Sequence, residues 1–303
     1  MKNGFSFKGI HSSDMGITVR TESRPIIPDV KKTEYSALLM DGAYDFSRAN
    51  PYNREFYNNR TFKVQLYING SDISELNKKL VKISQWLTGT GDLIFDDTPL
   101  VKWKARRNGE IAYAPELKGK KAILSVEFSV SAFGYSVVST CEDIILDSQI
   151  LLDTNIPLDM AGTEYTFAST IESGTTYALR FINYGERPVR PVITITTGDT
   201  SIRFTGITLT YNGTECSCSS ANHTYIVDCE KQQIRSTLND NSGMMSNFNG
   251  EFFEFEPGLC ELDVMCTFAG TANFLSVTIT VDFEPQVYWD FDMDNVDWSK
   301  NDA

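Results

Sequence analysis

Histidine is nearly absent from this chain, which has only His11 and His223 in 303 residues. Many general acid–base and nucleophilic mechanisms at neutral pH depend on a histidine beside the reacting group. Neither histidine stands in a recognised motif, and the sequence has no Gly-x-Ser-x-Gly elbow and no Gly-Lys-Ser/Thr phosphate loop. The adjacent carboxylates Asp96 and Asp97 precede Pro99 in a pattern typical of a turn. We therefore expect a protein that is not an enzyme.

Clusters of positive charge are also missing. The chain carries 27 Lys and Arg against 40 Asp and Glu, a net charge of −13. Nucleic-acid binding requires clustered basic side chains that neutralise phosphates. The longest basic groupings, at Lys78-Lys79 and at residues 102–107, are short, so we expect no sequence-specific nucleic-acid partner.

Long apolar runs are absent too. No stretch reaches the roughly 18 residues of a membrane span, and the first residues lack the apolar centre of a secretory signal. This pattern predicts no membrane insertion and synthesis in the cytoplasm.

The first 140 residues contain no cysteine, and all six cysteines follow them. Cytosolic chains normally keep cysteines as buried thiols. A zinc site made of Cys216, Cys218, His223 and Cys229 would lack the paired ligand spacing usual for zinc. We expect no metal site and no cofactor.

Alternating apolar residues predict strands in the first 135 residues. Residues 62–68 and 123–130 both alternate with period two, so every second side chain points to one face of a sheet. The side chains predicted to be buried are Phe62, Val64, Leu66, Ile68, Leu124, Val126, Phe128 and Val130.

One helix is predicted within this β pattern. Asp72 is a suitable N-cap, Glu75 completes a capping box, and Gly89 supplies a stop. Apolar residues at helical spacing would cover one side of a sheet, with Trp86 in the same seam. They are Ile73, Leu76, Leu80, Ile83 and Leu87.

Residues 25–60 form a long stretch with little periodicity, longer than ordinary connections inside a compact domain. Because aromatic side chains are enriched at interfaces, we interpret it as an assembly loop that contacts a neighbouring subunit. The predicted interface residues are Tyr35, Asp41, Tyr44, Phe46, Tyr52, Phe56 and Tyr57.

Strand-like runs separated by turns recur in the second half, which predicts a β-sandwich. The predicted organisation is a first domain at residues 1–135, a connection at 136–158, a second domain at 159–285 and an acidic, aromatic tail at 286–303. The tail is open to two interpretations, a frayed terminus or a peptide that folds on a partner.

Carbohydrate binding is the alternative function, because β-sandwiches with exposed aromatic rings often bind sugars. Its candidate contacts are Tyr165, Tyr184, Tyr211 and Tyr225. Each also suits a core position, since tyrosine is commonly a large buried group with a polar tip. A cell-wall hydrolase is a third hypothesis.

Several motifs, taken in order, resemble the distal tail proteins of long-tailed, siphovirus-type phages. The first-domain matches are Phe5 to Ile17, Arg24 to Pro28, Met40 to Phe46, Asn59 to Phe62, Ile83 to Leu87, Gly91 to Pro99 and Val126 to Tyr135. Looser second-half matches are Asn183 to Gly185, Pro188, Pro191 to Ile195, Asn247 to Phe253 and Glu256 to Gly258.

This resemblance implies a ring-forming, β-sandwich or barrel-like first domain with one covering helix, followed by a galectin-like β-sandwich. It implies a homohexameric hub at the tail tip of a virion or of a phage-tail-like particle, made in the bacterial host cytoplasm. The implied partners are the tail tube protein, a tail-associated fibre or lysin protein and a receptor-binding protein.

Overall fold

The structure is a computed structural model that describes residues 4–36, 38, 41–51, 53–111, 113–116, 120–138, 140–141, 162–198, 202–236, 244–268, 274–293 and 296. The chain forms two compact units, one of residues 1–137 and 287–290 and the other of residues 138–286 and 291–303. Most of the predicted connection at 136–158 lies outside the described residues. The prediction of a mainly β chain is confirmed.

Among the described residues, the first unit is built on one large antiparallel sheet and one helix. Its elements are β1 Phe5–Phe7, β2 Ile10–His11, β3 Ile17–Ser23, β4 Glu34–Tyr35, β5 Tyr44–Asp45, β6 Arg60–Asn69, α1 Ile73–Trp86, β7 Thr90–Phe95, β8 Thr98–Asn108, β9 Tyr113–Glu116, β10 Lys121–Val130 and β11 Gly134–Ser136. The strand order is β2-β1-β7-β8-β10-β6-β3, with β9 beside β10 and β11 beside β8. β4 and β5 pair only with each other.

The centre of this sheet is the long pair β6 and β10, which places Val64 opposite Val126 and Phe62 opposite Phe128. All eight alternating positions predicted from the sequence are buried, none being more than 4% exposed. Burying a large apolar side chain stabilises a fold by about 1.5–3 kcal/mol, so this face supplies much of the first core.

Helix α1 begins as predicted, because the Asp72 carboxylate accepts the Glu75 amide at 2.8 Å. The return bond of the capping box differs: Glu75 accepts from the amide of Ser71 at 2.8 Å. Trp86 ends the helix, stacks on Phe5 at 5.4 Å and is buried. Among the described residues, no helix is long and apolar enough to cross a membrane.

The buried face of α1 is narrower than its apolar pattern predicts. Leu76, Ile83 and the C-cap Leu87 are buried, Leu80 is half-buried, and Ile73 is exposed. Ile73, at the start of the helix, therefore lies outside the buried face that its spacing predicts.

In the part of the chain that the structure describes, the second unit contains two five-stranded sheets. Their strands are β12 Glu164–Glu172, β13 Thr176–Asn183, β14 Val192–Thr197, β15 Phe204–Tyr211, β16 Thr214–Cys218, β17 Thr224–Asp228, β18 Gln233–Arg235, β19 Phe248–Gly250, β20 Gly258–Phe268 and β21 Phe274–Asp282. A last short strand, β22 Gln286–Val287, pairs with β11 in the large sheet of the first unit. The orders are β12-β21-β14-β17-β18 and β13-β20-β15-β16-β19. Both sheets contribute to one core cluster, so the predicted β-sandwich is confirmed.

Gly250 ends β19 in a conformation that disfavours any side chain. Its φ is +107°, and an added Cβ would overlap the carbonyl oxygen of Glu215 on the neighbouring strand. We expect Gly250→Ala to lower the free energy of unfolding of the second unit by roughly 3 kcal/mol. Urea denaturation measures this loss.

Gly213 provides the matched control. It also has a positive φ, +79°, but nothing lies within 4 Å of its added Cβ. Gly213→Ala should therefore lose only the backbone preference, about 1 kcal/mol. Equal losses at the two positions would show that the contact with Glu215 does not matter.

Candidate assembly surface

The loop at residues 25–60 carries a small hairpin of its own. β4 and β5 pair with Tyr35 opposite Tyr44, and the amide of Phe46 donates to the carbonyl of Thr33 at 2.8 Å. At its base, Val30 forms an isolated antiparallel bridge with Tyr57. The outgoing and returning segments therefore run side by side.

Hydrogen bonds within the loop hold this shape. The Ser47 hydroxyl accepts the Thr33 amide at 3.0 Å, and Asp45 accepts the Ser47 amide at 2.8 Å. Hydrogen bonds from the side chain and backbone of Ser47 lower the pKa of Asp45. With the Arg48–Glu55 ion pair at 3.1 Å, these bonds give the loop a defined surface.

That surface is strongly apolar. Of fourteen large hydrophobic side chains exposed among the described residues, seven lie in this loop. Monomeric proteins rarely concentrate such groups in one segment without a partner to cover them. The seven are Ile26, Ile27, Tyr35, Leu38, Tyr44, Phe46 and Phe56.

Four of the seven residues predicted for the interface are exposed aromatic groups of this set: Tyr35, Tyr44, Phe46 and Phe56. Asp41 is exposed as well, and Tyr52 lies outside the described residues. Tyr57 differs, because its ring packs edge-on against Phe133 at 5.4 Å. It belongs to the base of the loop rather than to its exposed surface.

Arg60, the first residue of β6, anchors the base of the 25–60 loop. Its side chain is 3% exposed, and it donates to the carbonyl oxygens of Ala132 at 2.8 Å, Pro25 at 3.0 Å and Ile26 at 2.6 Å. Its guanidinium also lies over the Trp103 ring at 4.8 Å. Burial lowers the pKa of Arg60 to about 10, so the group remains charged at neutral pH.

Arg24 holds the other end of the loop. Its guanidinium lies 4.2 Å from the centre of the Phe95 ring and 4.7 Å from that of Trp289. Two hydrogen bonds join it to the Asp97 carboxylate, one of them 3.0 Å long. Neither arginine was predicted as a loop anchor, although each flanks the loop within the motifs on which the family resemblance rests.

His11 lies in a turn and forms hydrogen bonds that resemble part of a catalytic triad. Its Nε2 is 2.9 Å from Asp96 and its Nδ1 is 2.6 Å from the Ser13 hydroxyl. The Ser13 backbone amide also donates to Nδ1 at 3.1 Å, so Nε2 is the ring nitrogen that can donate to Asp96. Asp96 lines the neighbouring cavity of about 320 Å³, whereas Ser13 does not, and we interpret the turn as structural.

The four tyrosines considered for carbohydrate contact are placed differently. Tyr211 and Tyr225 are 4% and 0% exposed, so the core encloses their rings and leaves no face for a sugar. Tyr165 donates its hydroxyl to the Arg180 carbonyl at 2.7 Å. Tyr184 packs edge-on against Phe291 at 5.3 Å.

All six cysteines are free thiols of the second unit, five of them buried. In the described part of the chain, no group of three or more His, Cys, Asp or Glu side chains could hold a metal ion. Burial raises the pKa of Cys216, Cys229 and Cys266 to about 12 and that of Cys218 to about 11.

These raised pKa values predict that the second unit is less stable at alkaline pH. Unfolded thiols ionise near pH 9 while the folded thiols stay neutral, so the stability that they confer is lost as the pH rises toward 11 or 12. Each thiol accounts for at most about 1.4 kcal/mol per pH unit. Calorimetry should show that the unfolding temperature of the second unit falls above pH 9. An unfolding temperature that does not change with pH would contradict the effect.

A family comparison covers most of the unit that carries the loop. Residues 10–130 match the model of the phage tail protein RIFT-related domain. The first unit, called the tail domain below, is therefore similar to this family. No curated protein matches the chain in sequence.

The solved structures extend the comparison to the whole chain. The Dit protein of phage SPP1, described as a paradigm of the hub adsorption apparatus in phages infecting Gram-positive bacteria, matches with a TM-score of 0.59 and 12% identity over 94% of this chain and 98% of that one. A chain of the phage P2 baseplate in its activated conformation with Ca matches at 0.45 and 7% over 93% and 98%. The chain therefore combines a segment similar to the phage tail domain with a Dit-like fold, and the predicted resemblance to phage distal tail proteins is confirmed.

Proposed function

We propose that this chain is a structural hub at the distal end of a phage-type tail. Six copies form a ring through their tail domains, and the ring joins the tail tube to the host-adsorption apparatus without catalysing a reaction. The observation that carries the proposal is the exposed, apolar 25–60 loop on a domain of the phage tail family.

A second copy of the chain is the partner that suits this loop. A stable interface buries about 800 Å² on each side and centres on aromatic anchors, and Tyr35, Tyr44 and Phe46 are three such anchors in one hairpin. A contact between a loop and a different patch of an identical neighbour repeats around an axis, so it closes into a ring when the rotation allows.

The remaining partners follow from the same role. One face of the ring would seat the tail tube protein, the other would meet the tail-associated fibre or lysin protein, and a receptor-binding protein would attach at the periphery. The assembly would stand at the tail tip of a virion or of a phage-tail-like particle, after synthesis in the bacterial host cytoplasm.

Light scattering coupled to gel filtration tests the proposal. We expect a particle six times the 34.0 kDa of one chain. A monomer at all concentrations, together with glycan-array binding by the intact chain, would favour the carbohydrate-binding alternative instead.

A further inference from the structure

Val287–Asp290 is a short segment grouped with the first unit, although the residues before and after it in sequence belong to the second. It brings two large aromatic side chains, Tyr288 and Trp289, to the tail domain. Val287 is 1% exposed, so the segment is packed where it enters.

Tyr288 packs at the returning end of the 25–60 loop. Its ring meets Phe133 at 5.3 Å and Tyr57 at 6.3 Å, in both cases edge-on. Phe133 and Tyr57 also meet each other edge-on at 5.4 Å. The three rings form a closed group, and such pairs favour this tilted geometry.

Trp289, the next residue, packs at the outgoing end of the 25–60 loop. Its ring and that of Phe95 both lie within 5 Å of the Arg24 guanidinium, an arrangement in which the positive charge is attracted to aromatic rings. Arg24 directly precedes Pro25, the first residue of the loop. Two consecutive residues thus contact both ends of a loop about 35 residues long.

We propose that Val287–Asp290 is a strap that fixes the base of the 25–60 loop and so holds the exposed hairpin in a defined orientation. Tyr57 also forms the bridge with Val30 at this base, so loss of the strap would loosen both strands of it. The strap acts within one chain and does not depend on ring formation; its contribution to assembly rests on the proposed hub function.

Limited trypsin digestion of the intact chain tests the strap. Lys31, Lys32 and Arg48 are exposed cleavage sites within the loop. Cleavage of a folded chain follows the population of the open state, so we expect Tyr288→Ala with Trp289→Ala to raise cleavage at these sites about tenfold. Cleavage at Lys78 on helix α1 should stay unchanged.

Three control variants make the result specific. Tyr113→Ala removes an exposed tyrosine of the same unit, and Tyr288→Phe and Trp289→Phe keep rings in the strap; all should digest like the parent chain. Loop cleavage in the double variant equal to that of the parent would overturn the proposal.

If the double variant does not fold, Trp289→Ala is compared directly with Trp289→Phe instead. Faster loop cleavage in the alanine variant supports the strap, and equal cleavage contradicts it. Gel filtration of the same samples reports ring formation separately, so a parent chain that forms no ring would count against the hub while the digestion still decides the strap.

Discussion

Replacing Tyr35, Tyr44 and Phe46 together by alanine is expected to abolish the ring while both units stay folded. All three side chains are about half exposed or more, at 62%, 61% and 48%, so their removal leaves no cavity in either core. Aromatic anchors at the centre of an interface contribute about 2 kcal/mol or more each, although not additively. We therefore expect subunit association to weaken at least about a hundredfold, as measured by sedimentation over a range of concentrations.

The matched control removes apolar groups of similar exposure elsewhere in the tail domain. Ile73 and Val81 on α1 are 57% and 56% exposed, and alanine at both should leave the ring intact. If the loop variant still formed rings at the concentration of the parent, the loop would not be the assembly surface. If the helix variant also lost the ring, exposed apolar groups in general would be responsible.

Arg60→Met is expected to destabilise the tail domain strongly. It removes the donors to Ala132, Pro25 and Ile26, and partly buried carbonyl oxygens left without a donor cost free energy. We expect a loss of about 3–5 kcal/mol in the free energy of unfolding, measured by urea denaturation with tryptophan fluorescence.

Two further variants serve as controls for Arg60→Met. Arg60→Lys keeps the positive charge, but one ammonium group cannot reproduce the fork that reaches three carbonyl oxygens, so it should recover less than half of the loss. Arg106→Met changes an exposed arginine of β8 and should stay within about 0.5 kcal/mol of the parent. Arg60→Lys with the stability of the parent would show that charge alone is sufficient.

The sequence predicted the fold best where local pattern and tertiary burial agree. Residues 62–68 alternate strictly, and the structure buries the same face that the pattern indicates. Residues 252–255 alternate as well, but only Phe255 bridges, to Val189. Phe253 and Phe255 point into the core without joining a ladder, since alternation reports burial and not backbone pairing.

Strands with few apolar residues escaped prediction. β16 reads Thr-Glu-Cys-Ser-Cys and β12 begins Glu-Tyr-Thr, and both are strands because neighbouring strands supply their hydrogen bonds. Propensity for strands depends strongly on that context. The helix was predicted from its cap and its apolar period, although Ile73 at its start is exposed.

The loop at residues 25–60 was predicted to be an assembly loop from its length and its aromatic content, both of which are local properties of the sequence. Its anchors were not predicted, because Arg60 donates to Pro25 and Ala132 and the Arg24 guanidinium lies over the Trp289 ring, and these partners are far away in the chain. The strap was not predicted for the same reason. Residues 288 and 289 were grouped with the acidic tail, whereas both pack on the tail domain.

Negative-stain imaging of the purified full chain tests the central claim most directly, because a closed ring and a solitary binding module have different outlines. The account predicts six-fold class averages with a central hole, and their loss in the variant lacking Tyr35, Tyr44 and Phe46. Single particles of the size of one chain, for the parent chain at micromolar concentration, would contradict it.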